Sequence, residues 1–255
     1  MKPKSPLEIE RIRKSGRILA QILETIEKTV VAGMTGREID ALCRKELQRL
    51  GGKPVFVGVS GGPGVQDFPA TICISINDAV VHGIPDDTPF ANGDIVGFDF
   101  GVDYQGMITD AARTFIIGGE ARSKAEARLV ADTKRSLDAG ISVVKAGART
   151  GDIGSAVQAV LDASSLGIVR ERVGHGVGHD LHEPPEVPNY GFKGSGSLLK
   201  EGMTIAIEPM ATLGEWRIVI GDDGWTIRTQ DGSLSAHFED TILITADGAE
   251  ILTRL

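Results

Sequence analysis

Ile9, Ile12, Leu19, Ile22, Leu23, Ile26 and Val30 fall at helical spacing with charged residues between them, so the chain opens with an amphipathic helix. Its start is marked by Ser5-Pro6-Leu7-Glu8, a capping box with proline at the first helical position. The same element recurs behind Ser123-Lys124-Ala125-Glu126, a second capping box, with Val130, Leu137, Ile141 and Val144 on its apolar stripe. Each helix runs into an Ala-Gly stop, Ala32-Gly33 and Ala146-Gly147. A threonine and a shorter helix follow, carrying Ile39, Leu42 and Leu47 in the first case and Ile153, Val157 and Val160 in the second.

The parallel extends into the strands. Gly93-Asp94-Ile95-Val96-Gly97-Phe98-Asp99 matches Gly202-Met203-Thr204-Ile205-Ala206-Ile207-Glu208, each a β-branched run that delivers a carboxylate at the same place. Several matches in order, at offsets of roughly 110 to 118 residues, read as an internal duplication with pseudo-two-fold packing. The expected organisation is one domain over residues 1–255, with halves at roughly 5–118 and 119–255 that meet near Gly119. Strands that follow helix pairs predict an α/β or α+β fold in which helices back a sheet. The Gly/Ser-rich stretch from Asn189 to Ser197 is too short for a linker and is expected to be a surface loop.

Acidic residues inside these apolar runs carry the chemical signal. Asp94 to Ile117 reads as a β-hairpin around the polar turn Asp103-Tyr104-Gln105-Gly106, and with Tyr104 and Gln105 at the turn centre Asp99 faces Asp110 directly. Like charges so placed repel, and burying both is costly unless one is protonated or a cation lies between them. A divalent metal would resolve the conflict; so would a bulge that turns one Asp to solvent, and the hairpin alone leaves both open. A second cluster, Gly174 to Val187, holds His175, His179 and His182, three of the five histidines in the chain. Glycines flank His175 and let the backbone approach a ligand closely, and imidazole suits first-row metals. His179 has no parallel in the first half and is expected only to cap the turn. Glu208 sits inside an apolar strand, and Glu239, at the start of another, occupies in the second half the position of Asp110 in the first. Four carboxylates and one histidine form a set of mainly hard donors, suited to Mn, Fe or Co in pairs rather than to a closed structural zinc site.

Composition narrows the setting. With 41% apolar and 24% charged residues the 255-residue chain is an ordinary globular one. No apolar run is long enough to cross a bilayer and Met1 to Arg11 lacks the apolar core of a secretory signal, so a cytoplasmic location is expected. A net charge of −8 argues against a surface built for nucleic acid, though a local basic patch could still touch RNA. Cys43 and Cys73 are too few for a disulfide framework and are expected to be reduced core thiols.

The blocks NDAVVHGIP, GDIVGFDFG, ITDAARTF, GHGVGHDLHEPPEVPNYG, GMTIAIEPM and DGWTIRTQDGSLSAHFEDTILIT occur in this order between about Pro6 and Leu252, and together they resemble the signature blocks of type I methionine aminopeptidases. The resemblance implies an α+β pita-bread fold, a curved antiparallel sheet backed by two helix pairs related by a pseudo-two-fold axis. It implies that Asp99, Asp110, His175, Glu208 and Glu239 hold two divalent ions (Co, Mn, Fe or Zn), with Asp110 and Glu239 bridging. The implied reaction is removal of the initiator methionine from nascent proteins, by attack of a metal-bridging hydroxide on the first peptide bond. Glu208 would pass the proton to the leaving amine, His182 would bond the carbonyl oxygen, and His82 would hold the peptide beyond the cleaved bond. Phe68, Cys73, Leu181 and Trp225 match positions that line the methionine pocket. Val65 stands where many relatives carry tyrosine and Val81 where many carry cysteine, which predicts a slightly wider, less sulfur-lined pocket. Asn77 and Ser235 match positions that hold a monovalent cation in some relatives. The short stretch between His182 and Glu208 favours type I over type II enzymes, and no zinc-finger extension is expected.

Two other readings share these residues. Xaa-Pro aminopeptidases and prolidases use the same five ligands but carry a separate N-terminal domain, for which the chain has no room. Non-catalytic binding proteins on the same fold typically lose ligands, and all five are present here. The expected partners are peptides with N-terminal methionine and nascent chains, with transient ribosome contact; the protein is expected to be a monomer and to bind no membrane.

Overall fold

A computed structural model describes residues 2–255. Among the described residues, four helices and a set of antiparallel strands form two helix-on-sheet units joined edge to edge. In the first, α1 (Pro6–Thr29) and α2 (Gly36–Leu50) pack on the hairpin Ile95–Tyr104/Met107–Ile116, which Cys73–Ile76 extends. In the second, α3 (Lys124–Ser142) and α4 (Thr150–Ala163) back a five-stranded sheet whose central strands are Asp240–Ile244, Thr204–Ile207 and Gly174–Gly176. Each unit has its own core. Ile18, Ile22, Ile39, Phe98 and Phe100 fill the first, and Leu137, Val157, Ile205, Ile207 and Ile242 the second. This is the α+β, pita-bread arrangement that the resemblance implies.

Local signals account for most element starts. Ser5 caps α1 with the full reciprocal box to Glu8, and Thr35 caps α2 in the same way with Glu38. At α3 the box is only half made: Ser123 accepts from the Glu126 amide, but the Glu126 carboxylate turns to the amide of Arg122 instead. The long helices also end earlier than the Ala-Gly pairs suggest, at Thr29 and Ser142; Gly33 and Gly147, both with positive φ, shape the turns into the next helices.

The hairpin register differs from the expected one. Asp99 pairs with Ala112 and Asp110 with Gly101. The turn centre is Gln105-Gly106, with φ of 53° and 81°, because a two-residue turn that follows the strand twist needs two left-handed residues and glycine supplies the second without strain. The shift is two residues, so Asp99 and Asp110 become diagonal neighbours yet keep the same face. The alternate face of that strand, Val96, Phe98, Phe100 and Val102, is sealed against α1 and α2, which leaves both acids on the side away from the helices.

The two units are stitched beside the acids. Ala112 and Glu239 exchange backbone hydrogen bonds of 3.3 and 3.0 Å, and the Thr241 hydroxyl accepts from the Asp110 amide while donating to the Asp110 carbonyl. Arg113 crosses the same seam, donating to the Glu239 carbonyl, the Thr253 carbonyl and the buried Asp240 carboxylate.

Candidate metal centre

Asp99, Asp110, His175, Glu208 and Glu239 all line one cavity of about 640 Å³ at this seam. Each comes from a different piece of backbone: two from the hairpin, His175 from Gly174–Gly176, Glu208 just past Thr204–Ile207, and Glu239 just before Asp240–Ile244. Glycine at 174 is required because a Cβ there would run into the Ala206 carbonyl, so the strand that carries His175 can press against its neighbour. Asn189, fully buried rather than part of a surface loop, donates from Nδ2 to the Glu208 carbonyl at 3.0 Å and fixes the chain where regular pairing stops. The exposed part of that loop begins beyond it.

Single donor atoms of Asp110, His175 and Glu239 lie within 4.8 Å of one another, and so do those of Glu208, His237 and Glu239. Asp99 belongs to neither triplet but shares the cavity and its charge field. His175 Nδ1 lies 2.9 Å from the Gly176 carbonyl, which can only accept; the proton is therefore on Nδ1 and the Nε2 lone pair is free, 3.6 Å from Glu208.

Burial dominates the electrostatics. It pushes Asp110 up to about 7 and holds Asp99, Glu208 and Glu239 well above the usual carboxylate range, with the neighbouring acids adding to the rise. Burial also lowers the imidazoles, His175 to about 4 and His237 to about 3. Buried Asp99 Oδ1, Asp110 Oδ1, Glu239 Oε1 and His237 Nε2 have no hydrogen-bond partner among the described residues. Orphaned acceptors that converge in a low-dielectric cleft are costly, and one divalent cation or a pair satisfies all of them. The donor set therefore fits metal.

An apolar lobe adjoins the acids. Phe68 and Trp225 meet edge to face at 5.1 Å, and Cys73 and Leu181 complete the lobe with Phe56, Val59 and Val81. Val65 is not among the lining residues, whereas Val81 is. Trp225 is anchored by its indole N–H, which donates to the Gln66 carbonyl. Cys43 and Cys73 are both free and buried.

Two histidines flank the acids without joining the donor triplets. His82 has φ of 60°, a left-handed conformation uncommon for a side-chain-bearing residue and typical of functional constraint. Its ring lies 6.3 Å from that of Trp225, and burial, with Arg172 beyond it, lowers it to about 4. His182 meets the His175 ring edge to face at 4.5 Å, and burial lowers it too. Both stand neutral at physiological pH, able to donate or accept.

His179 lies outside the cavity. Its Nε2 is 2.7 Å from Glu8 and its amide donates to Glu183, which also meets the buried Lys4 side chain. It thus ties the loop of Leu181 and His182 to the start of α1 rather than merely capping a turn. Asn77 and Ser235 are neighbours: the Ser235 amide and hydroxyl both donate to the Asn77 carbonyl.

Sequence reasoning missed His237 and Arg172. His237 ends the strand Ser235–His237, two residues before Glu239, which precedes the next strand. Among the described residues that line the cavity Arg172 is the only lysine or arginine, and its position before a glycine-rich run gave no clue.

A cleft that gathers four acids and several imidazoles beside an apolar lobe defines a metallohydrolase, and comparison with known proteins specifies which. Residues 10–246 match the model of metallopeptidase family M24. The chain is 41% identical over 250 residues to the methionine aminopeptidase of Clostridium perfringens, covering 98% of this chain and 97% of that one. It is 38% identical over 252 residues to methionine aminopeptidase 1 of Bacillus subtilis, covering 99% and 98%. The crystal structure of the methionine aminopeptidase from Thermotoga maritima superposes with a TM-score of 0.95 at 43% identity over the whole of both chains. A prolidase from Pyrococcus furiosus shares the fold alone, with a TM-score of 0.77 at 23% identity over 99% of this chain and 65% of the other. The chain belongs to metallopeptidase family M24, within its methionine aminopeptidases.

Proposed function

We propose that this protein removes the N-terminal methionine from new polypeptides as a single catalytic domain, with Asp99, Asp110, His175, Glu208 and Glu239 holding two divalent cations. The observation that carries the reading is the convergence of orphaned buried carboxylate oxygens beside an apolar lobe, in a chain similar over its full length to methionine aminopeptidases. Bound there, the cations would lower the pKa of water and polarise the scissile carbonyl.

The chain's own residues do the rest. Phe68, Cys73, Leu181 and Trp225 take the methionine side chain, whose flexible thioether suits an aromatic and sulfur-lined lobe. With the methionine side chain in that lobe, the amino group of the substrate falls near Asp99, which lines the same cavity. Neutral His182 donates to the carbonyl oxygen of the cleaved bond and His82 holds the next peptide unit. Glu208 is raised by burial and by Asp110, which suits a carboxyl that takes up a proton and gives it to the leaving amine. The cytoplasm fits a substrate that is a new chain, and no helix among the described residues is long and apolar enough to cross a membrane. Contact with ribosomes follows from the same substrate, the protein acting as a monomer; Asn77 and Ser235 offer a place for a monovalent cation.

The test is methionine release from Met-Gly and Met-Leu peptides, with an Xaa-Pro peptide alongside, by chelated protein resupplied with Mn or Co. Metal-dependent release from Met-Gly alone is expected. Cleavage of only the Xaa-Pro peptide would move the protein to the prolidase branch, and no cleavage despite bound metal would leave a binding protein.

A further inference from the structure

His237 has a place at the acid cluster that the five-donor set does not use. Its side chain is 2% exposed and its Nε2 has no hydrogen-bond partner among the described residues. Two carboxylate oxygens face that nitrogen, Glu208 Oε2 at 3.7 Å and Glu239 Oε2 at 4.0 Å. An N–H···O hydrogen bond closes to roughly 2.7–3.2 Å, so neither contact is one. Donor atoms that each lie roughly 2.0–2.2 Å from one first-row ion stand about 3–4 Å from one another. The observed separations are of that kind. The same spacing recurs on the other side of Glu208, where Oε1 lies 3.6 Å from His175 Nε2. Glu208 therefore stands between two imidazoles, each too far to hydrogen-bond it and each near enough to share a cation with it.

The ring is held by strand rather than loop. His237 pairs with Met210, its amide donates to the Thr114 hydroxyl, and that hydroxyl donates back to the His237 carbonyl. Such support fixes a donor before the ion arrives.

We propose that His237 is a second imidazole donor of the metal centre, holding through Nε2 the cation that Glu208 and Glu239 share. The inference rests on the metal-centre reading above. With two nitrogens the donor set is less exclusively hard than four carboxylates and one histidine, and it shifts preference from Mn toward Fe, Co or Zn.

Proton NMR of the full chain, stripped by chelator and reloaded with Co(II), counts coordinated imidazoles directly, since each contributes one solvent-exchangeable, paramagnetically shifted N–H resonance. Two such resonances are expected in the wild type. His237→Gln should remove one and weaken cobalt uptake about tenfold or more. A single resonance in the wild type overturns the proposal, and this count stands even if the variant fails to fold; so does a pair that His237→Gln leaves intact. Methionine release measured on the same cobalt sample separates the two levels. Cleavage with one resonance refutes only the role of His237, whereas failure to bind cobalt at all refutes the metal-centre reading with it.

Discussion

Chelated protein should lose stability as pH rises from 6.5 to 8, and the site geometry sets both sign and size. Asp99, Glu208 and Glu239 have folded-state values well above those of an unfolded chain. The folded state therefore binds protons that the unfolded state has released, and stability falls with rising pH until each folded value is passed. The imidazoles act oppositely. His82, His175 and His237 are depressed to about 4, 4 and 3, so they make stability rise between those values and about 6.5, and above that they are neutral in both states. The window above 6.5 thus isolates the acids. A carboxyl still protonated there contributes a slope of about 1.4 kcal/mol per pH unit. Across the window that is about 2 kcal/mol for each such group, or a fall in Tm of roughly 4–8 °C for a chain of this size. Thermal unfolding in EDTA at fixed ionic strength measures it, with Co-loaded protein as the contrast, where the slope should vanish or reverse because cation has replaced proton. Asp110→Asn should lessen the chelated slope, because burial, the main cause of the raised Glu208, Glu239 and Asp99, remains while the further push from the Asp110 charge is removed. Stability that is flat or rising from pH 6.5 to 8 without metal, or a slope that Asp110→Asn leaves untouched, would refute the reasoning.

Other perturbations have equally definite outcomes. Asp240→Ala leaves Arg113 without its carboxylate at a half-sealed seam and removes the acceptor of Thr253 Oγ1; a loss of about 3–5 kcal/mol is expected in urea unfolding. Gly83→Ala would drive a Cβ into the Ile74 carbonyl and displace the neighbouring His82, so kcat/KM on Met-Gly peptides should drop tenfold or more while the metal content stays unchanged. Trp225→Ala opens the wall that Phe68 packs on and should cost about 1–3 kcal/mol in kcat/KM for methionine, less for a smaller first residue; equal losses for both would exclude Trp225 from the side-chain pocket.

What could be read in the sequence was what periodicity and local chemistry encode. The apolar stripe and capping box of α1 predicted its start, and acids embedded in apolar runs marked the cleft, because a buried charge needs a reason. The hairpin centre lies one residue beyond the middle of the polar turn because Gln105 and Gly106, not Tyr104 and Gln105, take the two left-handed positions. His237 escaped for a different reason. Its value lies in a separation from Glu208, which is near only once the strands Met210–Thr212 and Ser235–His237 have paired. Asn189 looked like loop for the same cause: its burial is conferred by Glu208, a partner distant in sequence.

The bridge between Ala112 and Glu239 also orders events during synthesis. Asp99 and Asp110 emerge early, on the hairpin that packs against α1 and α2, while Glu239 is the last of the proposed donors to be made and bridges to that hairpin at Ala112. A copy that still lacks Glu239 lacks a donor of both close triplets, so the proposed cage is complete only once that residue is in place. Competence would arrive in one step, when the final donor closes the seam.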